Sequence, residues 1–148
     1  MTVRLAGRRG LPIVDRAMLG WRARRVLREL GRRRSELSVQ LVDDPDVAEL
    51  NLRYRGIEGP TDVLAFPLLE GPHAEHAGAL LGDVVISLET AERQARRARR
   101  SLDEEAAKLL IHGTLHLLGH DHQHAAETRK MRAEERRLWR CVRERADP

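Results

Sequence analysis

The 148-residue chain has room for one domain with one sizeable core, and with aromatics at only 3% that core must be leucine, valine, isoleucine and alanine. Its single cysteine, Cys141, excludes an intramolecular disulfide framework and suits a cytoplasmic home, and no apolar run approaches the ~18 residues that cross a bilayer. The net charge of +4 hides a local +9 in residues 1–34, eleven arginines against Asp15 and Glu29, a field that favours a polyanionic partner such as RNA or an acidic membrane surface.

The N-terminal residues carry charge but lack the apolar core of a signal peptide. Leu19, Ala23, Val26, Leu27 and Leu30 form an apolar stripe at helical spacing, with Arg22, Arg24, Arg25, Arg28 and Glu29 on the opposite arc and Gly31 as the stop. Of these, Arg24, Arg25 and Arg28 are the candidate RNA contacts. Leu37, Val39 and Leu41 alternate with Ser38, Gln40 and Val42 in the period-two pattern of a strand. Pro45 opens a short helix through Tyr54, and the turn from Gly56 to Pro60 ends it. Val63 to Phe66 reads as a strand closed by Pro67, and the stretch from Gly71 to Gly78 as a polar loop in which His73 and His76 are solvated. Leu80 to Ser87, with its run Val84, Val85, Ile86, is the expected central strand. Ser87 then caps a helix that buries Leu88, Ala91 and Ala95. Ser101 with Glu104 is a capping box that starts a largely buried helix carrying Leu102, Leu109, Leu110, Leu117 and Leu118. A last helix from about Ala125 to Arg145 buries Met131, Leu138 and Val142. With no internal repeat or linker, residues 1–148 read as one α+β domain: a mixed sheet of three or four strands packed by about five helices.

The stretch from His112 to His122, HGTLHLLGHDH, is the chemical centre of the chain. His112 and His116 are four apart on a helix, so their imidazoles converge on one point. Gly119 can enter the left-handed conformation that ends the helix and turns the chain back, which makes His122 a third ligand. Three imidazoles with a fourth position open is the pattern of a catalytic zinc, one per chain, rather than a structural one. His120 and His124 are bystanders. The spacing is also that of the metzincin zinc peptidases, whose general-base glutamate follows the first histidine; here that position is Gly113. Asp121 and Asp83 are candidates for holding an imidazole N–H from behind, and either can equally cap a turn.

Tyr54 to Pro67, YRGIEGPTDVLAFP, followed by Leu81 to Ile86, LGDVVI, and then by the histidine motif, resembles the YbeY family of bacterial rRNA maturation factors from about Leu37 through His122. The family commonly has serine where Ala65 stands, so no catalytic role passes to that position. The resemblance implies an endoribonuclease that cuts single-stranded RNA, acts at the small ribosomal subunit with its proteins, and matures the 3′ end of 16S rRNA. It places the three zinc histidines on His112, His116 and His122 and a catalytic arginine on Arg55. Zinc is the implied cofactor, with other divalent transition metals chemically acceptable. The general base stays open between another side chain, the metal site itself and a ribose 2′-hydroxyl acting as nucleophile. Two other classes stand beside this reading: a noncatalytic ribosome- or RNA-binding factor stabilised by zinc, and a metzincin-like peptidase without its glutamate.

Overall fold

The sheet is built by a chain that crosses it three times in one direction and returns once along its edge. A computed structural model describes residues 2–68, 80–120 and 124–145. In chain order they form β1 (Thr2–Gly7), α1 (Arg16–Glu29), β2 (Glu36–Val42), α2 (Asp44–Arg55), β3 (Val63–Pro67), β4 (Leu80–Ser87), α3 (Leu88–Ala98), α4 (Leu102–Leu117) and α5 (Ala125–Val142). The strand order is β1-β2-β4-β3, with β1, β2 and β4 parallel and β3 antiparallel to β4. The result is the expected single α+β domain with a four-stranded mixed sheet. The loop histidines His73 and His76 lie outside the described residues.

Alternation along the strands decides which helix lies on which face. Leu37, Val39, Leu41, Val84 and Ile86 point to one side, where they pack with Leu19, Ala23 and Leu27 of α1, Leu88 and Ala91 of α3, and Ala106, Leu110 and Leu117 of α4. Leu64 and Val85 point to the other side and pack with Val47 of α2. A third cluster, Val26, Ile111, Leu115, Met131, Leu138 and Val142, glues α5 to α1 and α4 on the side away from the sheet.

Two features depart from the pattern read in the sequence. The first is β1, which the sequence alone does not announce. Val3 and Leu5 do alternate inward, but the segment is short and becomes a strand by pairing with β2 across an intervening helix. The second is Arg22. Its place on the polar arc of α1 predicts a solvated guanidinium, yet it is only 8% exposed. Its Nε donates to the carbonyl of Val142 at 3.1 Å and its Nη2 to that of Arg143 at 3.0 Å. Its Nη1 donates to the carbonyl of Asp103 at 3.4 Å. The last carbonyls of a helix have no intrahelical donors, and a permanently charged planar fork satisfies several at once. Arg22 therefore ties the end of α5 to the start of α4.

Asp44, the first residue of α2, holds that helix to the β4–α3 junction. Its carboxylate accepts from the Ser87 hydroxyl at 2.7 Å, the Thr90 hydroxyl at 2.6 Å and the Arg93 guanidinium at 2.8 Å. Burial alone would raise this carboxyl, but the hydrogen bonds from Thr90, Ser87 and Arg93 outweigh it and hold the group below its ordinary value near 3.8. A carboxylate with a depressed folded pKa stabilises the fold above its unfolded value, and that stability disappears as pH falls through the folded one. Asp44→Asn should cost about 1.5–3 kcal/mol at pH 7, the scale of hydrogen bonds to a charged group. Urea unfolding of parent and variant from pH 7 into the acid range below 3.8 should show the gap closing; a gap that persists in acid would show that the charge is not what Asp44 contributes.

Candidate metal centre

The helix that carries the histidines is defined at both ends. Ser101 accepts from the backbone N–H of Glu104 at 3.1 Å, which satisfies one of the first-turn donors. At the other end Gly119 takes a φ of 94°. The N–H groups of Gly119 and His120 then reach back to the carbonyls of His116 and Leu115 at 3.0 and 3.1 Å. This pair of bonds is the Schellman closure, and it requires the left-handed conformation that glycine enters at no steric cost.

Between these ends α4 is buried on two sides. Ala106, Leu110, Gly113 and Leu117 face the sheet, while Ile111 and Leu115 face α5. A Cβ placed on Gly113 would lie 2.7 Å from Val84 Cγ1 and 3.1 Å from Val63 Cγ2, so glycine is what lets the helix lie this close to β3 and β4. The same contact leaves no room for the glutamate that a metzincin peptidase carries at this position, and the peptidase reading loses its base for a steric reason.

His112 and His116 occupy the strip left between the two packed sides. Their Nε2 atoms are 3.1 Å apart and their rings meet edge to face with centroids separated by 4.6 Å. Two imidazole nitrogens bound at ~2.0–2.1 Å to one tetrahedral zinc lie about 3.3–3.4 Å apart, so the observed pair fits a shared ion with little adjustment. Behind the pair stands a carboxylate that the sequence did not single out. Glu135 of α5 has its Oε1 3.4 Å from His112 Nδ1, at the long end of hydrogen bonding, and both side chains are half-buried, 29% and 28% exposed. A proton on Nδ1 directed at Glu135 leaves the Nε2 lone pair turned towards His116, the tautomer a metal ligand needs. Among the described residues no group of three or more His, Cys, Asp or Glu side chains is arranged to hold a metal. His122 and Asp121 lie outside the described residues.

The remaining candidates are spread over the molecule. Asp83 alternates with Val84 and so lies on the sheet face that α2 covers, whereas Gly113 of α4 packs on Val84 itself. Arg55, the last residue of α2, is exposed, and among the described residues its guanidinium has no hydrogen bond or ion pair. Beside it Tyr54 meets Phe66 of β3 edge to face at 5.2 Å, which holds the end of α2 against the edge strand. On α1, Arg24 and Arg28 are exposed, whereas Arg25 is paired with Glu29 at 3.0 Å. His120 is half-buried beyond the end of α4, and His124 is exposed at the start of α5.

Comparison with known proteins finds relatives of the chain in sequence and in fold. The profile of the family described as Endoribonuclease YbeY matches residues 16–142. The chain is 47% identical over 143 residues to Endoribonuclease YbeY from Anaeromyxobacter sp. (strain Fw109-5), an alignment that covers 95% of this chain and 72% of the relative. It is 43% identical over 158 aligned positions to the protein of the same name from Salinispora tropica, covering 98% of this chain and 100% of the relative. The fold is similar to the solution structure of TM1509 from Thermotoga maritima, with a TM-score of 0.60 at 26% identity over 99% of this chain and 97% of the other.

If Glu135 orients His112, its loss acts on metal binding. Partners that hold a ligand imidazole from behind are typically worth 10–100-fold in metal affinity. Glu135→Gln should therefore release zinc to a chelator at a roughly 10–100-fold lower chelator concentration, with the helical circular dichroism unchanged. Parental zinc retention in this variant would reduce the Glu135 contact to an ordinary surface pair.

Proposed function

The chain belongs to the Endoribonuclease YbeY family, and we propose that it is a zinc-dependent endoribonuclease that cuts phosphodiester bonds of single-stranded RNA. In this reading it works in the cytoplasm at the small ribosomal subunit and trims the 3′ end of 16S rRNA. The observation that carries the proposal is the imidazole pair: His112 and His116 aim their Nε2 atoms at one point, 3.1 Å apart, in a strip between two packed sides of α4. His122 is the third ligand. What a divalent ion supplies there is Lewis acidity towards a phosphoryl oxygen and a lowered pKa for a bound water.

The protein's own groups divide the remaining tasks. Glu135 keeps the His112 Nδ1 proton in place and so keeps Nε2 available. Gly113 offers no carboxylate, so no proton is taken up at that position. Arg55 presents a planar, permanently charged fork to the non-bridging oxygens of the scissile phosphate, where charge grows as the bond to the entering oxygen forms. Its exposed position and its freedom from internal partners among the described residues suit a group that acts on a ligand. Arg24 and Arg28 on the outer face of α1 contribute phosphate contacts that position the strand without reading its sequence.

A donor that acts chiefly on transition-state charge contributes about a hundred- to a thousandfold in rate. Single-turnover cleavage of a single-stranded RNA by Arg55→Ala should slow by roughly that factor while RNA affinity changes far less. Arg55→Lys should recover little, because an ammonium lacks the two-pronged geometry. Zinc content should equal the parent's in both variants, whereas His116→Ala should lose zinc and cleavage together. Near-parental cleavage by Arg55→Ala would return the residue to the surface.

A further inference from the structure

A second feature of the α4–α5 pair lies beside the histidines and shares only Glu135 with the roles above. Lys108 and Ile111 of α4 face Arg132, Glu135, Arg136 and Trp139 of α5 across a cleft of about 210 Å³. Sites that enclose a whole small molecule run to ~300–1,000 Å³, so this cleft suits one unit of a longer chain. We propose that the α4–α5 cleft is a subsite for single-stranded RNA, holding a nucleotide that flanks the scissile bond with its base against Trp139 and its phosphates against Arg132 and Arg136. The proposal rests on the ribonuclease reading for the identity of the chain it holds.

Three observations carry it. The first is unpaired positive charge on the side of α5 that lines the cleft. Arg137 is locked to Glu134 at 2.6 and 3.0 Å, an interaction that holds the Glu134 carboxyl below its ordinary value. Arg132 and Arg136 of the same helix are exposed and, among the described residues, have no carboxylate within ion-pairing distance. The second is a braced aromatic. Arg22, itself fixed by three backbone carbonyls, lies 5.2 Å from the centre of the Trp139 ring. Lys108 lies 5.3 Å from the same ring and reaches Glu104 at 3.5 Å, an exposed pairing that is readily exchanged for a phosphate. When Lys108 turns from the ring to a phosphate, the half-buried indole is left with a face for a base, the kind of stacking platform that sequence-tolerant single-strand binders use. The third is continuity with the histidines. Glu135 lines the cleft and touches His112, and Lys108 precedes His112 by one helical turn, about 6 Å along α4. A strand held on Trp139 therefore arrives at the imidazoles within about one nucleotide.

The test is binding of a 2′-O-methyl oligouridylate, which mimics RNA and resists cleavage, to the full zinc-loaded chain. Parent and an Arg132→Gln, Arg136→Gln double variant are compared by anisotropy over a range of salt. Both changes are at exposed positions, so the variant should fold. Two lost phosphate contacts should flatten the slope of log K against log salt by about 1.4. In a Trp21→Phe background, where Trp139 is the sole indole, the oligonucleotide should quench the emission. Trp139→Ala should lower affinity roughly five- to 150-fold, the effect of removing one stacked base. An unchanged slope and unquenched Trp139 overturn the subsite. If poly-glutamate quenches as strongly as the oligonucleotide, the cleft takes an acidic peptide and the proposal fails on that ground. Cleavage of unmodified RNA by the parent is scored separately: loss of the subsite with cleavage intact leaves the ribonuclease reading standing, and absence of cleavage removes that reading whatever the binding result.

Discussion

The contact between Gly113 and Val84 sets the position of the helix that carries the two imidazoles. Because no Cβ intervenes, the backbone of α4 rests directly on the β4 side chains, within 2.7 Å of where that atom would be. Ala106, Leu110 and Leu117 continue the same face, and Ile111 and Leu115 commit a second one to α5. A helix packed on two sides has one strip left, and His112 and His116 are in it. Spacing on the helix makes the two imidazoles converge, and the packing of α4 decides that they do so in this strip. A larger residue at 113 would force α4 off the sheet, and overpacking of this kind commonly costs 1–3 kcal/mol. The distortion would reach His112 through the adjacent peptide.

Elements whose signals are local could be read from the chain. Ser101, Gly119 and the apolar run in β4 each act within a few residues, and each forms the structure its chemistry favours. The convergence of His112 and His116 was legible for the same reason, since spacing on one helix is a local property. The features that escaped depend on distant partners. β1 exists because β2 offers its edge, and its own six residues alternate too briefly to declare a strand. Arg22 is polar by hydropathy and buried in fact, because the open carbonyls it satisfies come from residues 120 and 121 positions away. Glu135 stands in the run Glu134, Glu135, Arg136, Arg137, where each residue reads as one more exposed charge. Only the docking of α5 distinguishes Glu134, which turns to Arg137, from Glu135, which turns to His112.

That docking makes the site composite. α5 begins at His124 without a side-chain cap bond, so its placement depends on the Met131, Leu138 and Val142 cluster and on the Arg22 fork at its far end. The imidazoles and the carboxylate behind them consequently belong to different helices, joined through α1. Changes in the α1–α5 contact can reach the histidines without touching them, because the orientation of His112 is set from α5.

The distribution of arginine, counted on the sequence, overstates the field available to a polyanion. Arg8 pairs with Asp43, and Arg25 pairs with Glu29. Arg16 donates to the carbonyls of Gly7 and Arg8, and Arg22 to those of Val142, Arg143 and Asp103. Ion pairing cancels the first two charges at any distance beyond the pair, and the second two guanidinia keep their charge but have their donors committed. The exposed arginines that keep their charge free among the described residues include Arg24 and Arg28 outside α1, Arg55 at the end of α2, and Arg132 and Arg136 along α5. Exposed like charges repel one another and disfavour the compact state, so arginines kept free at neighbouring positions of α5 are costly to leave unpaired unless an anion meets them. The ion-paired Arg137 shows that the same helix had carboxylates to offer.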